Sequence, residues 1–460
     1  MTLANQLKND PRIAQAKKLI QDAILEKQKQ VVDIKASDSS KMEAYQLLID
    51  QLNKSRGGNI YFPYVSSGFG HGPYVELEDG SIKLDMITGI GVHYFGHLTE
   101  PYVNAHFDSI FSSTVMQGHL QQQSNTVQLL DLILKAANKN GAKLEHGVIS
   151  SSGAMANENA LKICFSNKEN SNRVLAFEKC FHGRTMSMAS ITDKAAYRNG
   201  IPLSINVDYL PFYNPDHPEK SMDRCLKKLT TLLNRYPNSY STFIMELIQG
   251  EGGFNEAPRE FFIPILEKLK EHQINIWFDE IQTLGRTTEI FAFQELNLDE
   301  YVDVMTFGKM AQICGTLFKT DLKPKPGLIS QTYTSSSSAI QASINTFEEL
   351  LNGDLFGKEG KIIENRDHFL AHFKTLSKKH PQLFSGPFGH GGMISFCYEN
   401  GDLAESQLFL KALFKNGLIA FIAGSNPVKV RFLPPMGCLN QEHINQACQI
   451  LDKTITEMKG

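Results

Sequence analysis

The sequence predicts an α/β protein: a large region with a mainly parallel sheet flanked by helices, and a smaller α+β region. Three observations carry this expectation. From about residue 140, short β-branched or apolar runs alternate with helical patterns, which implies crossover connections between parallel strands. Near residue 340 the alternation gives way to longer helices with a few strands. The length of 460 residues suits two structural domains with a sizeable core.

Residues 11–33 predict a helix. Asp10 is placed to cap it, Pro11 suits its first turn, and Ile13, Ala16, Ile20, Ile24 and Val31 share one face. A second helix is predicted over 42–52, stopping before Gly57-Gly58. Both read as packing or interface helices. Strands of the large region are predicted at 147–150, 174–177, 242–247, 274–278 and 302–306, and strands of the small region at 393–398 and 428–432. The expected division is a helical extension over 1–60, a small α+β domain from 61–95 and 341–460, and a large domain over 96–340. The serine run 335–338 lies between structured segments and is not a linker.

Composition narrows the function. Hydrophobic residues at 42% and charged residues at 21% are ordinary for a globular protein. A formal net charge of -3 gives no electrostatic case for nucleic acid or an anionic membrane. No apolar run approaches the length needed to span a bilayer. The first ten residues are polar and lack the apolar centre of an export signal, so a cytoplasmic location is expected. Cys164, Cys180, Cys225, Cys314, Cys397, Cys438 and Cys448 are odd in number, scattered and free of CxxC spacing. That argues for reduced thiols and against a disulfide framework or a zinc site.

Four stretches carry chemistry. Ser151-Ser152-Gly153-Ala154-Met155-Ala156-Asn157-Glu158 follows a predicted strand and opens a helix. Its small residues and free N–H groups suit a phosphate, although an ordinary strand-to-helix turn looks the same. Phe177-Glu178-Lys179-Cys180-Phe181-His182-Gly183-Arg184-Thr185 also follows a strand. Phe181 could stack on a flat heterocycle and Arg184 could pair with a carboxylate, while His182 reads as a satisfied loop histidine. In Trp277-Phe278-Asp279-Glu280-Ile281-Gln282-Thr283 an apolar strand delivers Asp279 to its C-terminal end, where ligands of α/β sheets bind. A buried carboxylate there needs a partner, and a pyridinium N–H would be one. Gln282 could reach a phenolic oxygen of the same ring. Finally, Lys309 in Met305-Thr306-Phe307-Gly308-Lys309-Met310 follows an apolar strand directly, a poor place for a surface lysine and a good one for a Schiff-base nucleophile.

In this order the stretches resemble the class III (ω-) aminotransferases, pyridoxal-phosphate enzymes of fold type I. The resemblance runs from about Tyr74 to the end. It includes Tyr74-Val75-Glu76, Asp79-Gly80, Leu84-Asp85, Gly89-Ile90-Gly91-Val92, Gly96-His97, Glu246 and Gln249-Gly250-Glu251-Gly252-Gly253. It implies pyridoxal 5′-phosphate as cofactor, with Lys309 as the Schiff-base lysine and Asp279 as the pyridinium partner. Gln282 falls to the phenolic oxygen, Ser152, Gly153 and Ala154 to the phosphate, and Phe181 to ring stacking. Arg184 resembles the arginine that binds the substrate carboxylate. Glu251 and Arg431 resemble a switchable pair, in which the arginine is freed to bind the second carboxylate of glutamate or 2-oxoglutarate. Thr332 looks like the threonine that reaches the phosphate of a neighbouring subunit, which implies a homodimer with shared sites.

The chain also departs from the family pattern. Leu284 stands where a glycine is usual, Leu247 replaces a proline, Arg286-Thr287 comes one residue early, and Tyr333-Thr334-Ser335-Ser336 replaces a Gly-Asn-Pro type turn. Within the family, Phe307-Gly308-Lys309-Met310-Ala311-Gln312-Ile313-Cys314-Gly315 looks most like L-lysine 6-aminotransferases, while GABA and ornithine enzymes share much of the set. The resemblance therefore implies transfer of an ω-amine, with lysine as first choice of donor and a 2-oxo acid as acceptor. Racemase, aminomutase and decarboxylase chemistry are alternatives on the same scaffold. A nucleotide-binding dehydrogenase is disfavoured, because Gly68-Phe69-Gly70-His71-Gly72 does not form GxGxxG between a strand and a helix.

Overall fold

The structure, a computed structural model of the chain, describes residues 2–459. Its contacts divide into two compact units, Met1–Phe111 with Glu359–Gly460, and Ser112–Lys358.

The second unit is built on a seven-stranded sheet: β1 (His146–Ser150), β2 (Arg173–Phe177), β3 (Asn206–Leu210), β4 (Tyr240–Met245), β5 (Asn275–Asp279), β6 (Val304–Phe307) and β7 (Cys314–Phe318). Their spatial order is β1-β7-β6-β5-β4-β2-β3. β7 runs antiparallel to both its neighbours, and the other pairings in the sheet are parallel. A sheet covered on both faces needs strands that are apolar throughout, and β4 and β6 are buried at every position. Trp277 sits fully buried in β5 and satisfies its indole N–H on the Thr306 hydroxyl at 3.1 Å. The five strands predicted for this region are all present, with ends shifted by one or two residues. β3 and β7 were not predicted.

The first unit carries a sheet of Ser66–His71, Tyr74–Leu77, Ile82–Asp85 and Leu418–Ile419, and an antiparallel sheet ordered Phe384–His390, Met393–Tyr398, Val428–Phe432, Phe421–Gly424. The strands predicted at 393–398 and 428–432 match in type and extent. The glycine-rich stretch 68–72 ends one arm of a β-hairpin, as its lack of a helix partner implied. Phe369, Phe373, Phe384, Phe396 and Phe432 form an aromatic cluster between the second sheet and the helix Lys361–Lys379. After a short helix Leu3–Lys8, the helix expected over 11–33 is Pro11–Gln28, capped by Asp10 as expected but ending before Val31, and the next long one runs from Met42 to Arg56 and ends at Gly57.

The unit boundaries differ from those read in the sequence. Residues 1–60 are not a separate extension. Gln28 donates to the carbonyls of Gly70 and Leu98, and Lys35 bridges Ile82 through paired backbone bonds. Helix Glu100–Ser109 joins this unit through Lys17–Asp108 at 3.1 Å and Gln21–Asn104 at 2.6 Å. Helix Ser337–Asn352 packs on Ser124–Ala137 and so belongs with the large sheet. These ties are side-chain and backbone contacts between residues distant in sequence, which periodicity does not register.

A close approach in the sheet yields a test. A Cβ on Gly315 of β7 would lie 2.6 Å from the Phe307 ring and 2.7 Å from the Val148 carbonyl oxygen. Gly315→Ala should therefore destabilise the protein by about 1–3 kcal/mol, read as a lowered thermal midpoint.

Candidate active site

β1, β2, β4, β5 and β6 point their C-terminal ends to one edge of the sheet, and each is followed by one of the stretches singled out above. After β1, Ser152 caps the 14-residue helix Gly153–Ser166, its hydroxyl accepting from the Met155 N–H at 3.2 Å. The helix N-terminus thus faces the edge with unpaired donors and the positive end of its dipole.

Asp279 ends β5 and is buried. Its Oδ2 accepts from His182 Nδ1 at 2.7 Å and from Asn157 Nδ2 at 2.9 Å, and its Oδ1 accepts from the Ile281 N–H at 3.1 Å. Asn157 also donates to the His182 carbonyl at 2.7 Å, and the His182 N–H donates to Thr192 at 2.9 Å. The carboxylate is therefore fixed from three elements. His182 is a satisfied loop histidine, as expected, and its buried partner is Asp279. Burial works against a charged His182 ring, the Cys180 sulfur and the Asp279 carboxylate work for it, and the net direction is well up.

On β6, one strand away, Thr306 stands opposite Asp279, and Lys309 follows through Gly308. Lys309 is half-buried and has φ +50°, a left-handed conformation that a lysine adopts only when its surroundings impose it. Cys314, at the start of β7, feels the charges of both Lys309 and Asp279, while burial pushes its thiol up to about 11.

After β4 comes Glu246. Its two oxygens accept from the N–H groups of Phe181 and Gly250, each at 2.9 Å, which ties the turn after β2 to the turn holding Glu251. A Cβ on Gly250 would lie 2.3 Å from the Gln282 carboxamide, so only glycine leaves that side chain its place. The Phe181 ring meets Tyr197 edge-on, with centroids 5.9 Å apart. Arg184 is exposed, and its guanidinium carbon lies 3.8 Å from the centre of the Tyr197 ring.

The unit thus brings Ser152, Gly153, Ala154, Phe181, Arg184, Glu251, Asp279, Gln282 and Lys309 to one sheet edge. Thr332 is exposed on a loop whose backbone lies against Gly118. Arg431 belongs to the other unit, fully buried on Val428–Phe432, with its guanidinium carbon 6.0 Å from the Phe421 ring centre. The departure at Leu284 is resolved locally: Leu284 is buried, and Gly285, one position on, supplies the left-handed turn at φ +70°. Sequence reading missed the roles of Asn157, His182, Glu246 and Tyr197. The signal for the first three was polarity beside buried strand ends, which demands partners.

Glu246 and Glu280 are both fully buried, and burial pushes each carboxyl up to about 7. The folded chain then holds these protons more tightly than the unfolded chain, whose ordinary value is 4.5. Their contribution favours folding at low pH and is lost as pH rises through about 7. The urea midpoint should accordingly fall between pH 5 and 7, and Glu280→Gln should flatten that slope.

The family model for class III aminotransferases matches residues 59–455. An acetylornithine aminotransferase of Caldanaerobacter subterraneus subsp. tengcongensis is 28% identical over 405 residues, covering 85% of this chain and 94% of its own. A 4-aminobutyrate aminotransferase of Dictyostelium discoideum is 24% identical over 457 residues, covering 89% of each. Among solved structures, a lysine aminotransferase from M. tuberculosis superposes with a TM-score of 0.80 at 21% identity, covering 89% of this chain and 99% of that one. At that identity the likeness shows the fold. The match over most of the chain, on a sheet that gathers the expected side chains at one edge, places this protein in the class III aminotransferases, a pyridoxal-phosphate-dependent family of fold type I.

Proposed function

We propose that this enzyme moves the terminal amine of an ω-amino acid, with the ε-amine of L-lysine as first choice, to 2-oxoglutarate by a ping-pong mechanism. The observation that carries the reading is the pair of Lys309 and a three-point-held Asp279 at adjacent strand ends.

The residues fit pyridoxal phosphate. Asp279 offers an oriented buried carboxylate for a ring N–H, the Gly250 gap leaves room for Gln282, and the helix behind Ser152, Gly153 and Ala154 offers N–H groups to a phosphate. When bound, the cofactor supplies a ring that draws electrons from the substrate carbon bearing the amine. Lys309 would hold it covalently through Nζ. With the donor amine in that place, Lys309 Nζ would carry the proton from that carbon to the cofactor carbon that bears the amine, and would run the same transfer in reverse with the 2-oxo acid. Asp279 would keep the ring nitrogen protonated, with Asn157 and His182 preventing the carboxylate from turning away. Phe181 would stack on the ring.

Arg184 would receive the donor's distant carboxylate and so present the terminal amine. Glu251 and Arg431 would act as the gate, the arginine binding the second carboxylate of 2-oxoglutarate and the glutamate covering it otherwise. Thr332 would reach the phosphate of a second copy. The exposed Val115, Met116, Leu120 and Tyr333 in the same unit support such self-association. A cytoplasmic location accords with seven cysteines that are all free thiols.

The lysine choice rests on the stretch 307–315 and on the fold shared with a lysine aminotransferase. The relatives named for acetylornithine and 4-aminobutyrate favour a second reading, the same reaction with another ω-amino donor. The absorbance spectrum separates them. The protein should absorb near ~420 nm and shift toward ~330 nm with L-lysine, returning with 2-oxoglutarate, rough values set by the cofactor itself. A yellow protein unmoved by lysine but shifted by acetylornithine or 4-aminobutyrate would reassign the donor. A protein that stays colourless with added cofactor would overturn the role of Lys309. Lys309→Ala should lower kcat by at least about 10²-fold while leaving the fold intact by circular dichroism.

A further inference from the structure

The turn after β2 and the segment 194–197 bring two cations onto one ring. Arg184 lies 3.8 Å and Lys194 4.7 Å from the centre of the Tyr197 ring. Among the described residues, no carboxylate pairs with either cation. Asp193, next to Lys194 in sequence, is already engaged: one oxygen accepts from the Lys179 N–H at 2.8 Å and the other from Arg198 at 3.4 Å. The opposite edge of the arrangement is Phe181, whose ring meets Tyr197 at 5.9 Å.

Two like charges held near one ring repel each other, and an anion placed between or beside them relieves that repulsion. The aromatic face lowers the cost of keeping an arginine in place without a carboxylate partner, through attraction to the ring quadrupole. A planar guanidinium lying on a ring keeps its N–H fork directed outward at the ring edge, ready for bidentate contact with a carboxylate. The arrangement is thus preorganised for an anion and open to solvent, because Arg184 is exposed and Tyr197 and Lys194 are half-buried.

We propose that Tyr197 is a specificity-determining positioning residue: its ring, shared by Arg184 and Lys194, holds the receptor for the donor's carboxylate and selects donors carrying an anion remote from the reacting amine. This rests on the reading of Arg184 given above. Tyr197 touches neither the reacting carbon nor the amine. Its effect is on how firmly a carboxylate-bearing donor is held, and hence on KM more than on kcat.

The test uses donor pairs that differ only by a carboxylate, L-lysine against cadaverine and L-ornithine against putrescine, on the holoenzyme with 2-oxoglutarate as acceptor. The quantity read is the ratio of kcat/KM within each pair. Tyr197→Ala should lower the ratio about tenfold, through a higher KM for the amino acid, with the diamine unaffected. Tyr197→Phe keeps the ring and should hold the ratio within about twofold of the wild type. Lys194→Met should lower it in the same direction as Tyr197→Ala, by less. Equal losses for amino acid and diamine in Tyr197→Ala, or no change, would overturn the proposal. If Arg184→Ala collapses the ratio and Tyr197→Ala does not, the role of Tyr197 fails while that of Arg184 stands. If Arg184→Ala leaves the ratio untouched, the reading of Arg184 fails and this proposal falls with it.

Discussion

A buried carboxylate is the constraint around which this site is organised. Asp279 stands at the end of a strand buried from Ile276 onward, where an ionised group without partners would cost several kcal/mol. Asn157, from the helix after β1, and His182, from the turn after β2, both converge on its Oδ2. The cost of burial is thereby offset and three chain segments are fixed relative to one another. Because Asn157 also holds the His182 backbone carbonyl, its carboxamide cannot turn without breaking a second bond. A rigid carboxylate of this kind is what a cationic heterocycle needs if its proton is to stay on the ring throughout a catalytic cycle.

The sheet supplies the second requirement, a lysine close to that carboxylate but on a separate strand. Parallel pairing of β5 with β6 sets Asp279 opposite Thr306, so Lys309 begins one short turn beyond. The left-handed φ at Lys309 shows where the chain departs from the strand direction. β7, inserted antiparallel between β6 and β1, starts at this edge and runs away from it, so its first residue, Cys314, lies beside the lysine. Glu246 does comparable work on the other side, since one carboxylate accepts from both the Phe181 turn and the Gly250 turn. The Phe181 turn and the Glu251 turn are thus coupled through a single buried side chain.

Family membership settles the chemistry but leaves the donor to peripheral groups. Donors of this reaction differ mainly in what they carry far from the amine, so discrimination belongs to cations and rings at the rim. Arg184 on Tyr197, proposed above for the donor's carboxylate, lies within the unit that holds Lys309. Arg431, the counterpart proposed for the acceptor's second carboxylate, is buried in a small antiparallel sheet of the other unit.

The sequence by itself determined the α/β alternation, most strand positions, and the order of the four stretches that identify Lys309, Asp279, Gln282 and the helix opening at Gly153. These are local patterns: an apolar run of strand length, a glycine, and a functional side chain at a fixed offset. Tertiary structure decided what those side chains touch. The partners of Asp279 lie 97 and 122 residues away in sequence, and nothing in a loop histidine or a helical asparagine marks them as its donors until the strands pair. β7 was hidden because its sequence directly continues the lysine stretch and its antiparallel direction breaks the βαβ pattern. The unit boundaries escaped for the same reason, since helix Glu100–Ser109 and the N-terminal helix are assigned by side chains that meet only after folding. Offsets along a strand are encoded in a short window of sequence, whereas contacts between strand ends depend on register and crossover, which only the folded chain resolves.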